Sequence, residues 1–159
     1  MKIHTSRFGE LDIPEDTLLH FPAGLVGLPS AQRFVVLDVE KSSVYQWLQA
    51  IDEPGLAFIL IDIDLLEPTF QVELPDEALE EIGYQDHHPL TVMAIVTIPN
   101  GHPEEATANL RAPLVINAET RKGKQIVLHE TVSLHYSIAK ATVQPEPASE
   151  VTSEAVSVS

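Results

Sequence analysis

No cysteine occurs among the 159 residues. That excludes a disulfide framework, a thiolate zinc site, an iron–sulfur cluster and a cysteine nucleophile, and it makes a reducing compartment the natural setting. Basic residues are scarce as well: nine Lys and Arg stand against 24 Asp and Glu, for a net charge of −15. Such a balance argues against direct nucleic-acid binding, where cations must neutralise phosphates, and against docking on anionic lipid. Long apolar runs are missing too. The longest, Leu56 to Ile61, is far too short to cross a bilayer, and the opening MKIHTSRFGELDIPED holds no signal-peptide core. The expectation is a soluble, cytoplasmic protein that binds neither membrane nor nucleic acid and attracts basic partners.

What is present supports a folded domain. Apolar residues make up 44% of the chain, enough for a core at a length suited to one domain. The last eighteen residues, Thr142 to Ser159, carry three Glu, no basic residue and no aromatic. They read as a disordered acidic tail, leaving a domain at residues 1–141 with a charge of −12. Within it, two-residue alternation dominates: Phe70, Val72, Leu74; Ile61, Ile63, Leu65; Val132, Leu134, Tyr136, Ile138. These are expected strands with one buried face, while Phe34–Val39 and Leu90–Ile98 suit central strands. Tyr45–Ile51 fits a helix turn or a strand, and its aromatic and β-branched content favours the strand. Turns are expected at Phe8-Gly9-Glu10, Gly24–Pro29, Glu53-Pro54-Gly55, Pro99-Asn100-Gly101 and Lys122-Gly123-Lys124. One short helix follows Pro75, with Asp76 as cap, Leu79 and Ile82 on one face and Gly83 as the left-handed stop. Short strands so punctuated form a barrel or a sandwich.

Catalytic signals are weak. Asp86-His87-His88 is the densest ligand cluster among seven histidines, and it would serve a small metal-dependent hydrolase. Adjacent strand residues point to opposite faces, however, so His87 and His88 grip one ion poorly; a polar loop is the default. Carboxylates pair at Asp52-Glu53, Glu80-Glu81 and Glu104-Glu105, which in so acidic a chain reads as solvated surface rather than acid–base machinery. No Gly-x-Ser-x-Gly elbow is present, and Gly24-Leu25-Val26-Gly27 lacks the Lys-Ser/Thr of a phosphate loop. The expectation is a non-enzyme with no cofactor and no metal. Charge distribution says more. Residues 42–110 hold thirteen Asp and Glu and no Lys or Arg, either a solvated surface or an acidic face for a basic protein. The single tryptophan, Trp47, suits a core better than an interface, although it could serve either.

Four segments together resemble the flagellar assembly factor FliW family of bacteria: FPAGLVGL at 21–28, WLQAIDEPGLAF at 47–58, TANLRAPLVIN at 107–117 and RKGKQIVL at 121–128. They fall in the family's order and cover nearly all of the domain. Leu28 departs from the pattern, where a Phe is expected. The resemblance implies a mainly β fold, a small antiparallel β-barrel-like single domain with one short helix. It also implies a binding module that takes CsrA, a basic RNA-binding translational regulator, and so relieves repression of flagellin mRNA. Flagellin itself is the second implied partner, and free flagellin would release the regulator. A flagellin-only export chaperone is the narrower alternative. On this reading Asp52, Glu53, Glu104 and Glu105 supply a field that repels RNA. Specificity falls to Gly24, Leu25, Gly27 and Leu28 and to the segment from Asn109 to Asn117, with Trp47 as a further partner contact. Architecture is an equally good account of the glycines and of the two asparagines.

Overall fold

The computed structural model describes residues 1–38 and 44–140. Val39 and the expected tail, Thr142–Ser159, lie outside the described residues. Ten strands and one α-helix are found within them: β1 Lys2–Thr5, β2 Gly9–Asp12, β3 Leu19–His20, β4 Arg33–Asp38, β5 Tyr45–Ala50, β6 Ala57–Asp62, α1 Asp76–Glu81, β7 Leu90–Thr97, β8 Thr107–Asn117, β9 Lys122–Gln125 and β10 Tyr136–Ser137. Strands β3 to β9 form a closed seven-stranded barrel, ordered β8-β7-β6-β5-β4-β3-β9 and returning from β9 to β8. Every neighbouring pair is antiparallel except β3 and β9, which touch in parallel at His20 and Lys122.

Cross-strand partners share a face, so register separates inside from outside. The chain of pairs Leu19–Phe34, Val36–Leu48, Leu48–Phe58 and Met93–Leu114 puts these residues in the lumen. The opposite parity faces outward, and there too it is buried. Ile3 and Ile13 of the β1–β2 arm cover Val35, and Ala78 of α1 and Ile82 just after it cover Val115. Strand β6 is apolar on both faces, with five of its six residues buried, as a strand between two layers must be.

Tyr45–Ala50 is a strand, as the aromatic and β-branched content of Tyr45–Ile51 predicts. Several other expectations need correction. Ile63 and Leu65 do not continue β6; the chain turns into a 3-10 helix at Ile63–Leu65, where the Asp62 side chain accepts the Asp64 N–H at 2.9 Å. Phe70, Val72 and Leu74 join no ladder. Val72 and Leu74 pack beside α1 and Phe70 against the main core, so their alternation serves the barrel's outer cover. Of Val132–Ile138 only Tyr136 and Ser137 pair with β8, and Ile138 enters a 3-10 helix. The helix cap is Pro75 rather than Asp76, with no side-chain cap bond, while Gly83 does take the left-handed conformation at φ +65°.

Lys122-Gly123-Lys124 is the most informative miss. The turn lies just before it, at residues 118–121, and Gly123 sits inside β9. A Cβ at Gly123 would stand 2.7 Å from the Phe21 ring, which is itself fully buried against Phe34. Glycine is needed for close approach, not for a bend. Gly123→Ala is expected to lower stability by about 1–3 kcal/mol through overpacking. In urea unfolding, a cycle with Phe21→Leu should show favourable coupling above about 0.5 kcal/mol; strictly additive effects would refute the contact.

Candidate functional site

Strand alternation decides which loops meet. Residues 21–32, 51–56 and 98–106 all connect strands at one end of the barrel, while 118–121 and the start of the β6–β7 connection lie at the other. The first end gathers Gly24, Leu25, Gly27, Leu28, Asp52, Glu53, Glu104 and Glu105. Asn109 sits on β8 close to that end, Trp47 lies mid-strand, and Asn117 falls at the opposite end.

The 24–28 loop is rigid. Leu25 and Leu28 exchange backbone hydrogen bonds at 3.0 and 2.8 Å, and Gln125 Oε1 accepts the Val26 N–H at 2.8 Å. Gly24 has φ +69°, and a Cβ there would meet the Leu28 and Pro29 carbonyl oxygens at 2.5 Å. Leu25 anchors the loop inside, whereas Val26 and Leu28 are 59% and 37% exposed. The loop thus presents two aliphatic side chains on a fixed backbone.

The acidic residues differ in how much free charge they offer. Asp52 is held side-on by the Nε and Nη2 of Arg33, with Nε at 2.9 Å from Oδ2. That hydrogen-bonded pairing draws the Asp52 carboxyl below its ordinary range and raises Arg33 in turn. Glu53 is exposed beside it. Glu104 and Glu105 flank His102 Nδ1 at 3.5 and 3.4 Å on one exposed turn. Nor do residues 42–110 form one face. Asp52, Glu53, Glu104 and Glu105 sit at the loop end. The other nine acids, Asp62 to Asp86, belong to the end of β6 and the connection whose apolar residues cover the outside of the barrel.

The hydrolase ligand set is not assembled. Among the described residues only His102, Glu104 and Glu105 bring three ligand atoms within 4.8 Å of one another. His88 Nδ1 instead faces the Gln85 N–H at 3.2 Å and the Asn117 amide at 3.1 Å, and His87 occupies a turn at φ +71°.

Both asparagines hold the fold. Pairing of β7 with β8 slips between Met93–Leu114 and Ile95–Asn109, leaving a bulge on β8. Asn109 Oδ1 ties that bulge by accepting the N–H groups of Arg111 and Ala112 at 3.0 and 3.1 Å. Arg111 then donates from Nε to the Val132 carbonyl and from Nη2 to that of Glu130. Asn117, wholly buried, donates to the Ile82 carbonyl at 3.1 Å and accepts the Glu119 N–H at 2.9 Å. Trp47 is buried beneath the Phe8 edge, with the Arg7 guanidinium 4.5 Å above its ring. A residue that sequence reasoning passed over is Gln49. Fully buried, it donates to the carbonyls of Ala50, Pro54 and Leu56 and so shapes the loop bearing Glu53. The signal was a polar amide between apolar neighbours in a strand that had to be buried on both faces.

The family model for the FliW protein matches residues 2–139. The chain belongs to the FliW family of flagellar assembly factors. A flagellar assembly factor FliW of Moorella thermoacetica is 40% identical over 131 residues, covering 82% of this chain and 83% of its own. That of Thermosipho africanus is 38% identical over 128 residues, covering 80% and 88%. A crystal structure of the flagellar assembly factor FliW superposes with a TM-score of 0.76 at 30% identity, over 87% of this chain and 96% of the other. The FliW model's span, residues 2–139, includes all four resembling segments and the whole barrel. No helix among the described residues is long and apolar enough to cross a membrane.

Two outcomes follow for the FliW barrel. Asn117→Ala leaves the Glu119 N–H without its acceptor and the Ile82 carbonyl with Thr120 Oγ1 alone as side-chain donor, and should cost about 1–3 kcal/mol in a denaturant titration. Asp52 has a depressed pKa when folded, so its contribution is present above the unfolded carboxylate range and fades as pH falls through the folded value. Both partners are substantially exposed, which limits the effect to about 0.2–1 kcal/mol. The stability gap between the native chain and Asp52→Asn should therefore close as pH drops from neutral towards the acid limit; a pH-independent gap would contradict it.

Proposed function

We propose that this FliW-family chain works by reversible protein binding, without chemistry, in the cytoplasm. It captures the translational regulator CsrA, so lifting repression of flagellin mRNA, and it binds flagellin, whose free pool then releases the regulator. The observation that carries this reading is the loop end of the barrel. Glu53, Glu104 and Glu105 are exposed at that end, which also carries the loop that offers Val26 and Leu28 to solvent. Exposed aliphatics and carboxylates at one end suit a partner with an apolar contact and a basic rim, and the charge raises the encounter rate while rejecting RNA. Asp52 adds less field than its sequence position suggests, because Arg33 neutralises it. Leu25, Gly24 and Gly27 act by fixing the loop, and Trp47, Asn109 and Asn117 by supporting the barrel beneath it.

A triple reversal, Glu53→Lys, Glu104→Lys and Glu105→Lys, tests the electrostatic part while sparing the Arg33 pair. In a competition between this protein and RNA for CsrA, antagonism should fall roughly tenfold or more at low salt and converge with the native chain at high salt. Unchanged antagonism at every ionic strength would sink the reading. A flagellin-only chaperone would form no complex with CsrA, whereas the regulatory reading expects a complex from which added flagellin releases CsrA.

A further inference from the structure

Asparagine occurs three times in the chain, at 100, 109 and 117. Asn109 and Asn117 commit their amides to backbone groups, one tying the β8 bulge and the other the turn into β9. Asn100 stands apart. It is exposed, its side chain makes no hydrogen bond among the described residues, and it alone is followed by glycine. Asn100 and Gly101 occupy the middle of a turn between β7 and the 3-10 helix Pro103–Glu105, closed by the His102 N–H donating to the Pro99 carbonyl at 2.9 Å. Gly101 has φ +77°, and a Cβ there would meet nothing within 4 Å. Its N–H donates to no group among the described residues. An unhindered amide nitrogen therefore lies next to an unbonded side-chain amide, on an exposed turn that glycine lets flex.

Proximity of that kind turns a bimolecular attack into an intramolecular one. We propose that Asn100 is a site of spontaneous deamidation, through which the chain adds a carboxylate to its own loop end. The Gly101 nitrogen attacks the side-chain carbonyl carbon of Asn100. A bond forms between that nitrogen and Cγ, the Cγ–Nδ2 bond breaks, and the proton released from the Gly101 nitrogen leaves with Nδ2 as ammonia. Water then opens the cyclic imide. Addition at Cγ restores the main chain with an aspartyl side chain, whereas addition at the backbone carbonyl routes the chain through the side chain as isoaspartyl. Either way a neutral amide becomes a carboxylate, with water as the one co-reactant. Asn100 lies in the same connection as Glu104 and Glu105, whose carboxylates flank His102 Nδ1, so the connection gains a third exposed acid. The consequence for function rests on the binding reading above: the added charge quickens encounter with a basic partner and repels RNA further. Chain age then tunes the field of the loop end.

The full chain, held at physiological pH and temperature, should accumulate an acidic species separable by ion exchange. Its peptide map should place the amide-to-acid mass change at residue 100, with electron-transfer fragmentation telling the aspartyl form from the isoaspartyl. Asn109 and Asn117 are internal controls and should stay intact while the fold holds. Asn100→Gln should lose the acidic species, because the longer side chain closes its imide far more slowly. No conversion at residue 100, or conversion first at Asn109 or Asn117, would overturn the site and leave the binding reading untouched. Asn100→Asp is the stable mimic of the added charge. Its association rate with CsrA should rise by about twofold at low salt and match the native chain at high salt. If the triple reversal lowers antagonism but Asn100→Asp leaves the rate unchanged, charge at residue 100 has no regulatory effect. If neither has an effect, the binding reading has failed and the functional consequence fails with it.

Discussion

The barrel closes through four residues. Strand β9 pairs with β8 along Lys122–Gln125 but meets β3 at a single parallel contact, so little backbone hydrogen bonding holds that seam. Packing makes up the difference. With no side chain at Gly123, the Phe21 ring lies directly on the β9 backbone, and the ring's edge-on contact with Phe34 carries that grip across to β4. At the start of β9, Asn117 and the left-handed Arg121 turn the chain back so that it meets β3 at all. A parallel pairing of two strands that lie far apart in sequence has no local turn to set its register, so side-chain fit must.

Closure in turn divides the surface. Seven strands running up and down a barrel send their connections to two ends, and residues adjacent in sequence end up far apart. The cation-free run from 42 to 110 is therefore not one acidic face. Four of its carboxylates belong to the loop end, with one neutralised by Arg33, and the rest follow the chain around the outside of the barrel. The loop end keeps acidic residues of its own, because Glu53, Glu104 and Glu105 come to it from two different connections. Rigidity is what makes that end useful to a partner: Gly24, the Leu25–Leu28 bonds and Gln49 hold the loops before any partner arrives, and a preordered surface loses less entropy on binding.

Rich apolar runs located the strands Arg33–Asp38 and Leu90–Thr97, and two-residue alternation was the poorer guide. It misled where an alternating stretch faced the barrel's outer cover. Phe70, Val72 and Leu74 point apolar groups at a surface just as strand residues do, yet no neighbour offers them a ladder. Asp62 ended a strand early because its side chain satisfied the next turn more cheaply than a sheet partner could. Gly123 was read as a turn because a glycine between two lysines carries the same local signal whether it bends the chain or admits an aromatic ring. The asparagines of the TANLRAPLVIN segment were legible as important, but not in what way. Their amides bond a bulge and a turn whose existence depends on the register of β7 and β8.

By itself the sequence determined the class of molecule: mainly β, acidic, cysteine-free, with no apolar run fit for a membrane, and carrying the four segments of the FliW family. Those properties are additive along the chain, since composition and local periodicity need no knowledge of what lies opposite. Tertiary structure alone decided which carboxylates share an end, that Asp52 is paired with Arg33, and that Gly123 lies under the Phe21 ring. Each of these depends on pairs of residues distant in sequence, and only closing the barrel sets the distance between them.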